Sequence, residues 1–359
     1  MDKILLISNE VMHYRVSVYN YFYRRFKQDG REFVVRANRL QKENRIPVEF
    51  DFSEIPFSFP KYAREIKRIN PKVIILFLHL KELILWPLIH WIKTQKVPVV
   101  FWTKGVNLDD VGNSIRNRFF YYIHSISDAL ILYSSHEMNL IRPKNRGKVF
   151  IANNTINFDD IPAVEETREE IKAEFGVPFE KVVLFVGRMD VGGGRKKVDH
   201  LIRIFRDINT PGTGLVIAGA GLNDDLLRTA NKKNTIYLGE IHDPANLLIN
   251  KIFKMADVFS IPGHVGLGLN QAMFWGLPVV TEEGLQPPEI HYLINGRNGF
   301  IVPRDDIEEL KNKILYLLEN DEERRGLGDN ARRDILQYAS TKGMYQGFKD
   351  CVDYLTEEK

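Results

Sequence analysis

The chain has 359 residues, of which 44% are apolar, and a formal net charge of +3, values that favour an ordinary soluble globular protein with two domains. A single cysteine, Cys351, excludes an internal disulfide framework. The longest apolar run, residues 73–92, contains two charged residues and Pro87, so we predict a strand and a helix there rather than a transmembrane helix. The start of the chain, Met1-Asp2-Lys3, runs directly into a predicted strand, which argues against a signal peptide.

Positive charge is concentrated in the first part of the chain. Residues 1–150 contain 25 Lys and Arg against 14 Asp and Glu, a net of +11, and the remainder holds 25 against 33, a net of −8. Aromatic residues lie among these charges at 19–27 and 86–91. Such a surface suits an anionic membrane face or a phosphorylated lipid; nucleic acid and a plain solvated face are the alternatives. Because no nucleic-acid-binding module is recognisable, we expect no nucleic-acid partner.

The first half of the chain alternates between apolar strands and amphipathic helices. The predicted strands are 3–8, 33–36, 72–78, 97–102, 129–133 and 148–152, and the predicted helices are 16–26, 62–70, 82–93, 116–127 and 135–141. Nearly continuous apolar strands joined by helices indicate a parallel sheet with both faces covered. Residues 1–160 are therefore predicted to form one doubly wound, Rossmann-like α/β domain.

The same pattern restarts after residues 161–180, which are interpreted as a linker and one amphipathic helix, 167–175. The later predicted strands are 181–186, 215–218, 236–238, 258–261 and 300–302, and the later helices are 200–208, 222–231, 247–255, 307–318, 322–338 and 344–355. Residues 181–339 are therefore predicted to form a second doubly wound domain, which faces the first across a cleft.

Polar and glycine residues concentrate at the ends of the predicted strands. They are Asn9 and Arg15, Lys104, Arg188, Gly219–Gly221, Gly239–Ile241 and Gly263–Gly266. Because ligands of open α/β sheets lie beyond the carboxyl ends of the strands, we expect these residues to line one ligand site.

The stretch SIPGHVGLGLNQAMFWGLPVV, residues 260–280, is typical of a strand end, a glycine-rich loop, a helix and a following strand. Glycines at such a junction let a diphosphate approach backbone N–H groups, although the glycine spacing alone favours an ordinary packing turn. Arg188 and Lys196 could hold a leaving diphosphate with two fixed positive charges. The alternative is that Arg188 caps a helix and residues 195–197 form a solvated basic face.

Several short motifs occur in order between residues 181 and 335. They are FVGR (185–188), KKVDHLI (196–202), VIAGAG (216–221), LGEI (238–241), ADVF (256–259), the glycine-rich stretch, PEI (288–290) and NGRNGFIV (295–302). Their order and spacing resemble the C-terminal domain of family-four retaining glycosyltransferases, which have the two-Rossmann GT-B fold. The segments 13–16, 101–105 and 151–155 are similar to the subset that assembles bacterial surface polysaccharides. The resemblance implies a GT-B fold in which a C-terminal helix, within 340–359, crosses back to the N-terminal domain.

The resemblance further implies transfer of a hexose, with retention of configuration, from a nucleotide-diphosphate sugar to a lipid-linked or polysaccharide acceptor in cell-surface glycan synthesis. A UDP-linked donor is expected from its frequency in the family. Arg188 and Lys196 match the family's catalytic cations, and Tyr14 and Arg15 are interpreted as acceptor-side residues. The expected donor-binding residues are Lys104, Gly187, Gly239, Glu240, Ile241, Gly263, His264, Val265, Gly266, Leu267 and Gln271. No metal or other cofactor is expected, since neither an Asp-x-Asp signature nor clustered ligands are visible.

Three positions depart from the family. Its two carboxylates, eight positions apart, correspond to Gly263 and Gln271, and Lys104 replaces a histidine near the donor sugar. A non-catalytic nucleotide-sugar-binding protein is therefore an alternative, as is a sugar epimerase or phosphorylase of the same fold. We expect a cytoplasmic protein whose basic N-terminal domain contacts the inner face of a membrane. The expected partners are a nucleotide sugar, a glycolipid or oligosaccharide acceptor and an anionic membrane surface.

Overall fold

Two compact units make up the chain, one formed by Met1–Asn157 with Ser340–Lys359 and the other by Phe158–Ala339. The structure, a computed structural model, describes residues 1–42, 44, 46–106, 115–189, 194–208, 210–241, 243 and 246–357. In each unit a parallel sheet is covered by helices, so the predicted pair of doubly wound α/β domains is confirmed.

The first unit contains a seven-stranded parallel sheet. Its strands are β1 (Asp2–Val11), β2 (Arg31–Leu40), β3 (Asp51–Glu54), β4 (Val73–Phe77), β5 (Val99–Thr103), β6 (Ala129–Leu132) and β7 (Val149–Ile151). They lie in the order β3-β2-β1-β4-β5-β6-β7, and Ile4 of the central strand pairs with Phe33 and Val73. The helices that connect them are α1 (His13–Gln28), α2 (Phe59–Ile69), α3 (Leu85–Thr94) and α4 (Ile115–Ile126).

The second unit contains a six-stranded parallel sheet. Its strands are β8 (Lys181–Val186), β9 (Thr213–Ala218), β10 (Thr235–Gly239), β11 (Val258–Ser260), β12 (Val279–Glu282) and β13 (Gly299–Val302), in the order β10-β9-β8-β11-β12-β13. Its helices are α5 (Arg168–Glu174), α6 (Val198–Asp207), α7 (Asp224–Thr229), α8 (Leu247–Met255), α9 (Gly268–Phe274), α10 (Ile307–Glu319) and α11 (Asp321–Tyr338). The strand order reverses next to β8, which places the ends of β8 and β11 at the switch point where such sheets bind ligands.

The last helix, α12 (Thr341–Thr356), belongs to the first unit, as the resemblance implied. Successive residues of β1 face opposite sides of the sheet, so Leu5 enters the core under α2 and α3 while Leu6 enters the core under α1. Phe348 of α12 lies in the same core as Leu6, with its ring centroid 4.8 Å from that of Phe22. The end of the chain therefore completes a core that begins with its first strand.

The structure differs from the prediction at the edge strand β3 and at residues 135–141, among other short segments. The edge strand β3 was not predicted, because its sequence, DFSE, is mostly exposed and polar and shows no apolar pattern; it pairs with β2 through Val34 and Asp51. The helix predicted at 135–141 is a 3₁₀ helix, Ser135–Leu140. Its cap is Ser134, which forms a capping box with Glu137.

Residues 161–180 belong to the second unit. Thr167 caps α5, because its side chain accepts a hydrogen bond from the backbone of Glu170. The ammonium of Lys251, on α8, lies 2.6 Å from Glu166 and 2.9 Å from Glu174. These ion pairs attach the segment that precedes β8 to the helical layer of the second unit.

Candidate functional site

Glycines mark the ends of three adjacent strands in the second unit. The N–H of Gly187, after β8, donates to Ala218 O at 3.0 Å, and the N–H of Gly219, after β9, donates to Gly239 O at 2.7 Å. A Cβ on Gly219 would lie 2.1 Å from Gly187 O, and its φ is +132°. Glycine is therefore required at 219, and the strand ends form a surface made largely of backbone.

Lys196 reaches across this surface toward the glycine-rich loop. A Cβ on Gly187 would lie 2.8 Å from Lys196 Cδ and Cε, and the Nζ donates to His264 O at 3.0 Å. Burial lowers the pKa of Lys196 to about 8, although the charge of Glu289 acts in the opposite direction. Among the described residues no carboxylate lies within ion-pair distance of its Nζ. Lys196 is thus a partly buried cation at pH 7 without an anionic contact, and an anionic ligand beside it would be stabilised.

The glycine-rich loop is joined to the residue pair that carries this cation. Gly263 N donates to Lys196 O at 3.1 Å, and His264 N donates to Arg195 O at 2.9 Å. A Cβ on Gly263 would lie only 1.8 Å from Arg195 O. The backbone of Arg195 therefore occupies the space that any side chain at 263 would need. This contact gives a physical reason for the glycine at the position of the family's first carboxylate.

Gln286 holds the same loop from the other side, and sequence reasoning missed it. Its Nε2 donates to Gly263 O and to Glu282 O, both at 2.9 Å, and its Oε1 accepts from Val265 N at 3.1 Å. A single amide in a loop shows no periodicity, and the only available signal was its place just before the motif Pro288-Glu289-Ile290. The loop therefore has fixed hydrogen-bond partners on both sides.

The loop continues into α9, which has seven residues. Gly266 has φ +62°, a left-handed conformation that glycine adopts without strain, and Leu267 is the N-cap residue of the helix. Gln271, one turn later, donates from Nε2 to Oδ1 of Asn250 at 3.0 Å, and Trp275 Nε1 donates to the same oxygen at 2.8 Å. Gln271 is therefore held against α8.

A network of charged groups lies beside the loop. Lys197 Nζ is 2.5 Å from carboxylate oxygens of both Glu282 and Asp305, and Nδ1 of His200 is 2.5 Å from the other oxygen of Glu282. Glu282 is fully buried. Burial alone would raise the pKa of Glu282, but the hydrogen bonds from His200 and Lys197 lower it. His200, Glu282 and Asp305 offer ligand atoms within 4.8 Å of one another, yet the Lys197 ammonium contacts both carboxylates and supplies a positive charge there.

In the first unit, Arg15 is enclosed by aromatic rings. Its guanidinium lies 4.9 Å from the ring centroid of Trp102 and 5.6 Å from that of Tyr14, and its Nη2 donates to Asn154 Oδ1 at 2.6 Å. Arg15 is buried, with 3% of its surface exposed. The aromatic rings and the amide oxygen of Asn154 stabilise the buried positive charge of the guanidinium.

Tyr133, at the end of β6, links the two predicted cations of the first unit. The guanidinium of Arg15 and the ammonium of Lys104 each lie 5.9 Å from its ring centroid. Lys104 is exposed and Tyr14 is half-buried. Lys104, predicted as donor-binding, is therefore placed with the two residues predicted for the acceptor side, at the carboxyl ends of β1, β5 and β6.

The predicted site residues fall into two groups. In the second unit the structure joins Gly187, Lys196, Gly263, His264 and Val265 by direct contact or through Gln286, and brings Gly239 next to them through Gly219. Arg188 and Glu240 are exposed at the strand ends, Ile241 is half-buried there, and Gly266, Leu267 and Gln271 follow along the chain. The roles assigned to all of these residues stay predictions.

An exposed aromatic surface lies on α3 and α4 of the first unit. Ile115, Phe119 and Tyr122, at positions i, i+4 and i+7 of α4, are 71%, 49% and 44% exposed. The ring of Trp86, on α3, lies 5.4 Å from that of Phe119. Leu83, just before α3, is 82% exposed. Every helix in the described part of the chain is too short or too polar to span a bilayer.

Two Rossmann-like parallel-sheet units of this kind define the GT-B class. Residues 180–320 match the family model described as Glycosyl transferases group 1. The structure is similar to crystalline HepE of Anabaena in complex with UDP, with a TM-score of 0.77 and 13% identity over 99% of this chain and 100% of that one. This likeness establishes the fold.

Two curated relatives come from Staphylococcus aureus. A poly(ribitol-phosphate) alpha-N-acetylglucosaminyltransferase is 22% identical over 262 residues, which cover 70% of this chain and 49% of the relative. The capsular polysaccharide biosynthesis glycosyltransferase CapM is 20% identical over 291 residues, covering 74% of this chain and 72% of the relative. The chain spans about half the length of several of the curated relatives it matches.

Proposed function

We propose that the protein is a retaining, metal-independent glycosyltransferase that moves a hexose from a UDP-linked donor to a lipid-linked or polysaccharide acceptor in cell-surface glycan synthesis. The observation that carries the proposal is Lys196, a partly buried cation held between Gly187 and the loop at Gly263 and His264. Burial has already removed part of its water, so a diphosphate beside it gains a strong, preorganised contact.

The proposed reaction exchanges one bond of the anomeric carbon for another on the same face of the sugar. The bond from C1 to the donor phosphate oxygen breaks, the acceptor oxygen bonds to C1, and the departing phosphate takes the acceptor's proton. Lys196 and Arg188 stabilise the charge that develops on the diphosphate. Two cationic side chains supply the charge that a divalent metal supplies in other transferases, so no metal is proposed. Gly239, Glu240 and Ile241 are proposed to line the nucleotide base.

Support for the donor and the acceptor comes from the relatives. HepE was crystallised in complex with UDP, and the poly(ribitol-phosphate) relative carries an anionic polymer in its name. The first unit of this chain bears the excess of positive charge, which suits an anionic acceptor. We propose that Tyr14, Arg15 and Lys104 act on the acceptor side. The guanidinium of Arg15 lies over the rings of both Tyr14 and Tyr133, and the ammonium of Lys104 lies over that of Tyr133.

We also propose that the aromatic surface of α3 and α4 rests on the inner face of an anionic membrane. Aromatic side chains settle at the level of the lipid headgroups, and two exposed cations, Arg116 and Arg118, flank the row on α4. Phe119→Glu should abolish cosedimentation with phosphatidylglycerol vesicles, whereas Leu336→Glu, which also replaces an exposed apolar side chain by an acidic one but lies in the second unit and is 42% exposed, should not. Equal binding by both variants would contradict this surface.

A second candidate function is a nucleotide-sugar-binding protein without transferase activity. It is favoured by Gly263, because Arg195 O leaves no room at this position for the side chain of the family's first carboxylate. The two candidates predict different results once a donor is bound.

The deciding experiment is a thermal-shift screen of nucleotide sugars, followed by measurement of nucleoside diphosphate release from the donors that bind. A transferase releases diphosphate when the acceptor is added, and nuclear magnetic resonance of the product reports retention of configuration. Binding without release, with every acceptor of the glycolipid and polysaccharide classes, would favour the second candidate. Absence of any nucleoside diphosphate binding would refute both.

A further inference from the structure

The solvent side of α2 is a row of positive charges. Lys61, Arg64 and Lys67 recur every three residues on the side of the helix away from the core, and all three are exposed. In the described part of the chain, no carboxylate lies within ion-pair distance of any of them. The one acidic residue of α2, Glu65, has its carboxylate 2.7 Å from the buried guanidinium of Arg36. The row therefore carries charges that its own helix does not neutralise.

Aromatic contacts join this row to the aromatic surface of α3 and α4. The ring of Trp91, on α3, lies 5.9 Å from that of Phe59 at the start of α2, and the ammonium of Lys67 lies 5.9 Å from the same Trp91 ring. All three helices cover one core of the first unit, so they lie side by side on one face of its sheet. The cationic row and the aromatic rings are therefore parts of one surface.

The composition of this surface favours a bilayer over a soluble polyanion. Cations lie on both helices that flank α3, since Arg116 and Arg118 of α4 are also exposed. Two aliphatic side chains lie between them in the chain, Leu83 and Ile115, which are 82% and 71% exposed. Aliphatic groups neither stack on nor pair with a soluble polyanion, but they are stabilised where hydrocarbon replaces water. An anionic membrane offers both hydrocarbon and phosphate.

We propose that the α2 row binds the phosphate groups of anionic lipids and makes the protein selective for negatively charged membranes, while the rings of α3 and α4 supply insertion that does not depend on lipid charge. The inference rests on the membrane contact proposed above. Each part alone is a weak anchor, because salt screens the charges and a few rings bury little surface. Two signals on one face give stable binding that depends on lipid charge.

The test is cosedimentation of the whole protein with two kinds of vesicle, an equal mixture of phosphatidylglycerol and phosphatidylcholine, and phosphatidylcholine alone. Lys61→Gln, Arg64→Gln and Lys67→Gln combined, the α2 triple variant, should bind the mixed vesicles about 100-fold more weakly, since each cation near such a surface contributes about a fivefold gain in affinity. Its weaker binding to phosphatidylcholine should equal that of the wild type. The difference on mixed vesicles should disappear in about 1 M salt, where charges are screened within about 3 Å.

Two further variants show that position and charge are responsible. Arg203→Gln, Lys232→Gln and Lys233→Gln combined remove the same charge from exposed positions of the second unit and should leave binding unchanged. Lys61→Arg with Arg64→Lys keeps the charges of the row and should also bind as the wild type does. If the loss of the contact between Lys67 and Trp91 prevents folding of the triple variant, Lys61→Gln with Arg64→Gln serves in its place, with an expected loss of about 25-fold.

Three results would overturn the inference. One is an α2 triple variant that binds mixed vesicles as tightly as the wild type. Another is an equal loss in the variant of the second unit, because net charge rather than α2 would then determine binding. The third is a wild type that binds polyphosphate and neither kind of vesicle, which would assign the row to a soluble polyanion.

The variant Phe119→Glu separates this inference from the proposed membrane contact. If Phe119→Glu loses binding while the α2 triple variant keeps it, the membrane contact stands and only the role of α2 fails. If the wild type binds no vesicles, both fail. None of these results bears on donor binding or sugar transfer, which are measured separately.

Discussion

Two adjacent lysines should respond in opposite ways to the same substitution. Lys196 is partly buried without an anionic contact among the described residues, whereas Lys197 contacts the fully buried carboxylate of Glu282. We expect Lys196→Met to stabilise the fold and abolish transfer, and Lys197→Met to destabilise the fold while sparing most of the transfer rate. Methionine keeps the length and volume of the side chain, so the comparison isolates the charge.

The magnitude for Lys196 follows from its pKa. A change from the ordinary 10.5 to about 8 corresponds to about 3 kcal/mol against the charged form. The hydrogen bond to His264 O offsets about 1 kcal/mol of this, so Lys196→Met should raise the free energy of unfolding by about 2 kcal/mol at pH 7. The pKa is lowered in the folded state, so the penalty is complete below pH 8, fades as the folded-state lysine loses its proton, and is gone above pH 10.5. The gain in stability should fade over the same range.

The control variant, Lys197→Met, should change the free energy of unfolding in the opposite direction. Hydrogen bonds to Asp305 and Glu282 raise the pKa of Lys197 even though burial acts against them, which shows that its charge is well partnered. Its removal leaves Glu282 with His200 as its remaining cationic partner, and we expect a loss of about 2 kcal/mol.

The assays are urea denaturation at several pH values and the rate of sugar transfer. Lys196→Met should lower kcat by a factor of about 10² to 10³, as expected for the loss of one charge-stabilising donor, and Lys197→Met by less than about tenfold. A Lys196→Met protein that is less stable than the wild type, or equally active, would refute the assignment of a ligand-binding charge.

Three further outcomes are expected. Gly263→Ala should lower the free energy of unfolding by about 2 kcal/mol and abolish nucleotide binding, because its methyl group would collide with Arg195 O and break the two backbone hydrogen bonds of Gly263 N and His264 N. Gly266 has open space around it but a positive φ, so Gly266→Ala should cost only about 1 kcal/mol in the same denaturation assay. Arg188→Ala should lower kcat by at least about tenfold with an unchanged melting temperature, since Arg188 is exposed, and an unchanged rate would remove it from the mechanism. Transfer should persist after dialysis against EDTA, and activity restored only by Mg²⁺ or Mn²⁺ would contradict a metal-independent reaction.

The sequence predicted the architecture because the apolar strands are short, continuous and separated by helical periodicity. Elements that bury few residues show no such apolar pattern, and for this reason the exposed strand β3 was not predicted. Element boundaries also depended on caps: α12 was predicted from 344 but begins at Thr341, because Ser340 accepts a hydrogen bond from Gly343 N.

The candidate site was predictable where it follows strand ends and not where it depends on distant partners. Gly187 directly follows β8, and Lys196 comes after it. Both positions could be predicted, because they follow from the order of residues along the chain. The contact between Gly263 and Arg195 O joins residues 68 positions apart, and the bonds of Gln286 and Asn250 each join residues about 20 apart. No local pattern marks such contacts, because each depends on the packing of two elements rather than on one.

The contribution of α12 to the first unit has a consequence for synthesis on the ribosome. Residues 158–339 are contiguous, so the second unit has all of its strands and helices as soon as that stretch has left the exit tunnel. The first unit lacks Phe348 and the other core residues of α12 until the last helix has been made, and until then Phe22 and Trp102 have no aromatic neighbour from that helix. The middle of this polypeptide should therefore reach its native state before the beginning does.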